Sequence, residues 1–323
     1  PCKEGGNMDK RTRMLNAMNK KEVDHVPVGF WFHFAGGEAS GEACVQAHLK
    51  YYRAVDADFI KVMCDGYFPY PITAKIEKAA DWRNLKPLGK DHPFIREQVW
   101  RAKRVKDEVK DECCVFYNVF APFSSIRFGA GEELVMKHIR EDPEAVIHAL
   151  DVIAQDNALL AELVIREAKN DGIYYCVQGA ELDRFSYREY REMISPSDLH
   201  VLNHANSISD NNIIHMCGWA GVKNRIENWK DYPVKVINWA VYVEDMSLEE
   251  GREYFGGRTV LGGFRNTRPG VLFYGTEKEV RRFTRELIFR FGKEGLIIGA
   301  DCTIPNEVDY NRFKWVIEES RAI

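Results

Sequence analysis

Short apolar runs alternate with amphipathic stretches along the whole chain. Eight runs rich in Val, Ile, Phe and Tyr predict buried strands at 26–31, 58–63, 114–120, 172–178, 212–217, 234–240, 259–264 and 295–301. Helical patterns fill the gaps, as in 143–170, where Pro143 suits a first turn. Hydrophobic strands interleaved with helices predict a parallel sheet covered by helices, and eight such units can close into a (β/α)8 barrel.

The 323-residue chain is long enough for one large domain or two ordinary ones, and the unbroken alternation favours one. We therefore predict a single α/β barrel domain over 1–323, with an N-terminal helical extension at 9–21 and an insertion over one barrel end at 65–112. An open doubly wound sheet is the alternative. No G-x-G-x-x-G or G-x-x-x-x-G-K-[ST] motif follows a predicted strand, which argues against a nucleotide or dinucleotide site.

Composition narrows the class of protein. Hydrophobic residues make up 45% of the chain and charged residues 29%, and the net charge of −4 gives no electrostatic reason to bind nucleic acid. No apolar stretch approaches the roughly 20 residues of a membrane span, and the N-terminus lacks the apolar core of a signal peptide. We expect a cytoplasmic protein whose eight scattered cysteines are mostly reduced thiols, available for metal binding or chemistry.

Three soft ligands fall at predicted strand ends. His215 and Cys217 end the fifth predicted strand, and residues two apart on a strand point to the same side. Cys302 ends the eighth, and the carboxyl ends of the strands of a parallel barrel share one mouth. A Cys₂His set suits zinc with an open fourth position, as catalytic sites require. A buried cysteine is more often a small core residue, and we assign Cys113, Cys114 and Cys176 to the core.

Further polar residues follow other predicted strands. Asp65 comes directly after the second strand, and Gln178 and Glu181 come after the fourth. At the mouth these side chains could orient the zinc histidine or bind substrate. The alternative is that they cap the helices that follow.

Several segments resemble the uroporphyrinogen decarboxylase superfamily, and within it the zinc-dependent methylcobamide:thiol methyltransferases. They are "KRTRMLNAMNKKEVDHVPV", "IIHMCG", "YPVKVINWA", "TVLGGF" and "GLIIGADCTIP", and the resemblance extends from about residue 10 to the end. It implies a (β/α)8 barrel with zinc on His215, Cys217 and Cys302. It also implies a small thiol substrate and a methyl group carried by a corrinoid on a partner protein, since the chain has no D-x-H-x-x-G segment.

Aromatic residues at strand ends add to this interpretation. Trp31, His33 and Trp239 could form a wall for a flat corrin face or a small apolar substrate, although such residues usually serve packing.

The chain departs from the decarboxylases of the superfamily in the segment after the first predicted strand. Decarboxylases resemble one another in arginines there, which hold the carboxylates of the porphyrinogen. Here "GFWFHFAGGEASGEACVQAH" contains no Lys or Arg, which disfavours a metal-free decarboxylase. Arg184, Arg188 and Arg265 keep that alternative open. A non-catalytic zinc- or corrinoid-binding accessory protein is a third alternative, and the chain could be a monomer or a homodimer.

Overall fold

The computed structural model describes residues 8–323 of the chain. Seven strands form one sheet in sequence order, and every neighbouring pair is parallel. The strands are β1 Phe59–Val62, β2 Cys114–Phe120, β3 Gly172–Val177, β4 Ile213–Met216, β5 Val236–Trp239, β6 Thr259–Phe264 and β7 Leu296–Ala300. Helices separate them along the chain, so the predicted α/β barrel architecture is confirmed.

The segment 26–31 closes the barrel between β7 and β1. The Gly29 amide donates to the Ile298 carbonyl at 3.0 Å, and the Asp58 amide donates to the Val28 carbonyl at 2.9 Å. The segment 26–31 therefore takes the place of an eighth strand in the barrel.

The prediction of a regular strand at 26–31 was nevertheless wrong, because side chains accept two of the amide hydrogens that a regular ladder would use. The Val28 amide donates to the Asp58 carboxylate at 2.8 Å, and the Phe30 amide donates to the Tyr51 hydroxyl at 3.2 Å. Pro27 has no amide hydrogen to contribute. Only isolated bridges remain, such as Val28 with Ile298.

The helices surround the sheet. They are α1 Lys10–Met18, α2 Gly41–Val55, α3 Pro93–Val109, α4 Pro122–Ala130, α5 Glu132–Glu141, α6 Pro143–Arg166, α7 Tyr187–Glu189, α8 Ser195–Asn206, α9 Val241–Glu244, α10 Leu248–Tyr254, α11 Val271–Tyr274, α12 Glu277–Phe291 and α13 Tyr310–Ala322. A π-helical turn, Tyr190–Ile194, joins α7 to α8, and 3₁₀ turns occur at Gly36–Glu38, Ala79–Asn84 and Ile226–Trp229. Within residues 8–323, no helix is both long enough and apolar enough to span a bilayer.

The gap 65–112 divides into two parts. Its second part is α3, the helix that connects β1 to β2. Its first part packs on the outer helix α6, where Asp156 accepts hydrogen bonds from the Tyr70 hydroxyl at 2.6 Å and from the Leu88 amide at 2.8 Å.

The barrel interior changes character from one end to the other. Large apolar side chains fill its lower part, including Phe59, Phe116, Tyr174 and Leu261. Successive side chains of each strand point alternately to the barrel interior and to the outer layer. Toward the carboxyl ends of the strands, the side chains that point inward are polar or carry sulfur. The inward residues of this upper level are Lys61, Asn118, Cys176, His215 and Asn238.

Candidate metal centre

Two adjacent strands fix the imidazole of His215. His215 lies on β4 opposite Asn238 on β5, and its Nδ1 is 2.5 Å from the Asn238 Oδ1. The Asn238 amide nitrogen donates to the carbonyls of Leu261 and Ala300 at 2.9 and 3.1 Å. This orients Oδ1 as the acceptor toward His215, so Nδ1 carries the imidazole proton.

The other imidazole nitrogen is therefore free to bind a metal. His215 Nε2 is buried and has no hydrogen-bond partner among residues 8–323. Buried polar atoms are normally satisfied, so a buried Nε2 without a partner marks a candidate ligand position.

Three cysteine sulfurs surround this position. Cys217 Sγ lies 3.8 Å from Cys302 Sγ. Two sulfurs bound at about 2.3 Å to one tetrahedral zinc are separated by about 3.8 Å. The ligand atoms of Cys176, His215 and Cys217 also lie within 4.8 Å of one another. The structure thus brings together the three predicted ligands and adds Cys176.

Cys176, which the sequence analysis assigns to the core, is buried but also lines a cavity. It lies on β3 beside His215 of β4 and faces the same interior. The sequence contained a partial signal, because Cys176 and Gln178 are two residues apart and so share one face of the strand.

The thiols of Cys217 and Cys302 hold their protons more tightly than an ordinary cysteine, because their pKa values are raised. A hydrogen bond with the Cys176 thiol, together with burial, raises the pKa of Cys217 to about 12. A hydrogen bond with Cys217 and burial likewise raise the pKa of Cys302 to about 12. A divalent cation bound here must therefore displace thiol protons.

A cavity of about 200 Å³ opens onto the four converging residues. Aromatic side chains form much of its wall, namely Phe68, Phe120, Phe128 and Trp219. Among residues 8–323, Lys61 is the single Lys or Arg in the lining. Its ammonium lies 4.0 Å from the ring centre of Tyr174, and burial lowers its pKa while the nearby Cys176 opposes that shift.

Sequence reasoning did not single out Lys61, Asn118 or Asn238. Each stands inside an otherwise apolar strand, in "FIKV", "CVFYNVF" and "VINW". A polar residue in the middle of a buried strand was the available signal.

The predicted acidic residue Asp65 supports another histidine. Its carboxylate accepts from His33 Nδ1 at 2.8 Å and from the Phe34 amide at 3.0 Å. His33 lines the cavity, and its Nε2 lies 3.2 Å from the Thr303 hydroxyl. Asp65 therefore orients His33, whereas Asn238 orients His215.

The two residues predicted after the fourth strand differ in position. Gln178 lines the cavity and accepts a hydrogen bond from Arg127. Glu181 is buried against Arg184, whose Nε lies 2.9 Å from its carboxylate, and it is not part of the cavity lining.

The predicted aromatic wall is divided between different layers. Trp31 lies inside the barrel below the cavity, with its ring centre 5.3 Å from that of Tyr174. Trp239 lies on the outer face of β5, because strand alternation turns its neighbour Asn238 inward. Its indole donates to the Met246 carbonyl at 3.0 Å and packs on Phe255, so Trp239 does not contribute to the mouth.

The arginines that kept the decarboxylase alternative open lie outside this cavity. Arg184 is paired with Glu181, and Arg188 with Glu192 at 2.7 Å. Arg265 lines a neighbouring cavity that also contacts Cys302.

The donor set fits zinc. An unpartnered imidazole nitrogen and three thiols converge at the end of a cavity, and imidazole and thiolate are the ligands that zinc prefers in proteins.

A family model described as uroporphyrinogen decarboxylase (URO-D) matches residues 63–323. No curated protein matches the chain. Among solved structures, a methyltransferase from Methanosarcina mazei is similar, with a TM-score of 0.74 at 15% identity over 98% of both chains. A B12-independent methionine synthase from Shewanella sp. W3-18-1 has a TM-score of 0.54 at 13% identity, over 86% of this chain and 85% of that one. At such identities these structures establish a shared fold.

Proposed function

Because the chain belongs to the uroporphyrinogen decarboxylase family, we propose that it is a zinc-dependent methyltransferase that moves a methyl group between a corrinoid and a small thiol. The observation that carries this proposal is the convergence of His215, Cys217 and Cys302 at one end of the cavity. The similarity in fold to a methyltransferase from Methanosarcina mazei supports it.

Zinc held by these residues would bind the substrate thiol as a thiolate and so make its sulfur nucleophilic at neutral pH. The side chains of the chain supply the geometry. Asn238 holds the His215 ring with Nε2 toward the cavity. Cys217 extends the line of β4, since its amide donates to the Val177 carbonyl at 3.1 Å.

The cavity wall supports a reaction of a sulfur anion. Its aromatic side chains exclude water, which strengthens electrostatic interactions inside. The ammonium of Lys61 faces this space and compensates the negative charge of several thiolates. Orientation of sulfur and methyl group then supplies most of the catalysis.

A corrinoid would approach from outside, because a cavity of about 200 Å³ is too small for a tetrapyrrole-sized ring. Trp219 lines the cavity and is 52% exposed. Tyr242 on α9 and Val222 in the loop after β4 are also exposed. These side chains give a partner corrinoid protein an apolar surface beside the metal.

The proposed methyl transfer needs no reactant besides the thiol and the methylated corrinoid. The thiolate sulfur would form a bond to the methyl carbon while the bond between that carbon and the corrinoid breaks. The electron pair of the broken bond would stay with the corrinoid, so the products would be a thioether and the demethylated, reduced corrinoid.

An anaerobic assay tests the proposal. The zinc-loaded protein is mixed with methylcobalamin and a panel of small thiols, and cob(I)alamin is followed by its absorbance. We expect thiol-dependent demethylation that Cys302→Ser abolishes and Cys113→Ser, a matched change of a buried core thiol, retains. Bound zinc without demethylation by any thiol would rule out the methyl-transfer function.

A further inference from the structure

We propose that the substrate of this site is a small uncharged thiol with one aromatic ring, and that the ring packs among Phe68, Phe120 and Phe128. This inference rests on the proposed function and names the class of thiol. The three phenylalanines are partly exposed and line the cavity onto which the candidate metal ligands open.

Two cavities adjoin the candidate metal centre. The aromatic cavity of about 200 Å³ is lined by His215, Cys217 and Cys302 together. The neighbouring cavity of about 470 Å³ is lined by Cys302 and Arg265, but within residues 8–323 its lining does not include His215 or Cys217. A thiol that reaches a metal held by all three ligands therefore lies in the aromatic cavity.

The three phenylalanine rings form a continuous wall. Phe68 and Phe128 both make edge contacts with Phe120, with ring centres 5.1 and 5.2 Å from its own and interplanar angles of 78° and 74°. Phe120 lies on β2 two residues after the inward Asn118, so it points to the same side. Aromatic rings favour such contacts, and a substrate ring can continue the packing.

Polar side chains of the lining are already paired within the protein. Gln178 accepts a hydrogen bond from Arg127, and His33 Nδ1 lies 2.8 Å from the Asp65 carboxylate. The Asn118 amide donates to a cysteine sulfur at 2.9 Å. A polar substrate tail would therefore lose its bound water without gaining a partner, which lowers affinity.

The one cation of the lining lies away from the phenylalanine wall. The Lys61 ammonium is 4.8 and 4.0 Å from the ring centres of Trp31 and Tyr174, which pack below the cavity. Within residues 8–323 no other Lys or Arg lines this cavity, so an anionic tail among the phenylalanines would stay unpaired.

The volume limits the substrate to one ring. An apolar cavity of about 150 Å³ holds one benzene, so a cavity of about 200 Å³ accepts a ring with a short thiol arm. Burial of one such ring should raise affinity about 10- to 100-fold, as for a phenylalanine side chain.

The thiol preference of the zinc-loaded full chain with methylcobalamin tests this inference. Phenylmethanethiol, 2-mercaptoethanol and mercaptoacetate have similar thiol acidity, but their tails are aromatic, neutral polar and anionic. We expect the KM of phenylmethanethiol to lie about 10- to 100-fold below that of 2-mercaptoethanol, with benzyl methyl sulfide as its product. Mercaptoacetate should have the highest KM.

Variants and a ligand without a thiol locate the ring. Phe120→Leu keeps an apolar side chain, and it should raise the KM of phenylmethanethiol roughly 2- to 10-fold without changing that of 2-mercaptoethanol. Phe289→Leu, a matched change at a 72% exposed position on α12, should alter neither value. In titration calorimetry, toluene should bind the wild type and bind Phe120→Leu more weakly.

Contrary results are distinguishable. Equal KM values for the three thiols, or the lowest KM for mercaptoacetate, would overturn the inference and leave the proposed function intact. Toluene that does not bind, or that binds the wild type and Phe120→Leu equally, would also overturn it. Demethylation by none of the thiols would remove the proposed function, and this inference with it.

Discussion

Asn238 determines which nitrogen of His215 faces the cavity. Its side-chain oxygen accepts from His215 Nδ1, and its amide nitrogen is held by two backbone carbonyls on β6 and β7. The imidazole therefore cannot exchange its two nitrogens without breaking a buried network. The nitrogen that faces the cavity is therefore fixed by the protein itself.

We expect Asn238→Leu to lower zinc affinity about 10- to 100-fold, the usual cost of removing a partner of a metal-binding histidine. Competition with a chromophoric chelator measures this. Asn238→Asp restores the acceptor and should recover most of the affinity. Asn118→Leu, which removes another inward amide beside the cavity, is the matched control. Equal losses in Asn238→Leu and Asn118→Leu would argue for a general effect on packing.

Replacing Cys217 or Cys302 by Ser should reduce zinc from close to one per chain to a small fraction, because a hydroxyl is a poor zinc ligand. Elemental analysis after gel filtration gives the stoichiometry. Cys113→Ser should retain the metal, since Cys113 packs in the core against the helices. A fully loaded Cys217→Ser/Cys302→Ser double variant would contradict the predicted ligand set.

Zinc affinity should fall steeply as pH decreases. The pKa values of Cys217 and Cys302 are raised to about 12, so binding at neutral pH releases at least two protons. Each proton released makes the affinity change about tenfold per pH unit, and two change it about 100-fold. Affinities measured at pH 8 and 7 give the slope. A flat profile would mean that these thiols do not bind the metal as thiolates.

Uroporphyrinogen should not be decarboxylated. In the part of the chain that the structure describes, the cavity lining contains Lys61 as its single Lys or Arg, and Arg184 and Arg188 are paired with carboxylates elsewhere. Carboxylates are best held by several fixed guanidinium donors. Formation of coproporphyrinogen in an anaerobic assay would show that this reasoning fails.

Asp198 should make the free energy of unfolding depend on pH. It is buried on α8 and accepts from the hydroxyls of Tyr190 and Tyr232 at 3.0 and 2.9 Å, but burial dominates and raises its pKa to about 7. An unfolded Asp has a pKa of about 3.9, so the folded state retains the proton between these values. Stability should therefore decrease as pH rises from about 4 to 7.

The variant Asp198→Asn should remove this dependence, because the amide resembles the protonated carboxyl and does not titrate. Urea unfolding at pH 5 and 8 compares the two proteins. We expect the wild type to lose, relative to the variant, on the order of a few kcal/mol at about 1.4 kcal/mol per pKa unit. Parallel changes in both proteins would assign the pH effect to other groups.

The barrel and three of the converging residues were predictable from local rules. Alternation along a strand placed His215 and Cys217 on one side, and the shared mouth of a parallel barrel placed Cys302 near them. These rules need only the identity of a few neighbouring residues. Whether the ion itself is bound by this set stays a prediction.

Other features depend on information that the local sequence does not contain. Cys176 became recognisable only from its register with His215, which is a relation between two strands. The predicted position of Trp239 at the mouth was wrong because "VINWA" has apolar residues on both faces of the strand. The sequence therefore did not show which of its residues point inward. In the segment 26–31, two backbone amides donate to the side chains of Asp58 and Tyr51, which come from later parts of the chain.

The side-chain hydrogen bonds of the segment 26–31 affect how freely the loop that follows it can change in length. A strand in a full ladder transmits any insertion to its neighbours as a shift in register, which turns every side chain to the opposite face. The segment 26–31 is held by a few backbone hydrogen bonds to β7 and to the start of β1, and by the Asp58 carboxylate and the Tyr51 hydroxyl of α2. Residues 33–40 can therefore gain or lose length while β1 to β7 stay in register.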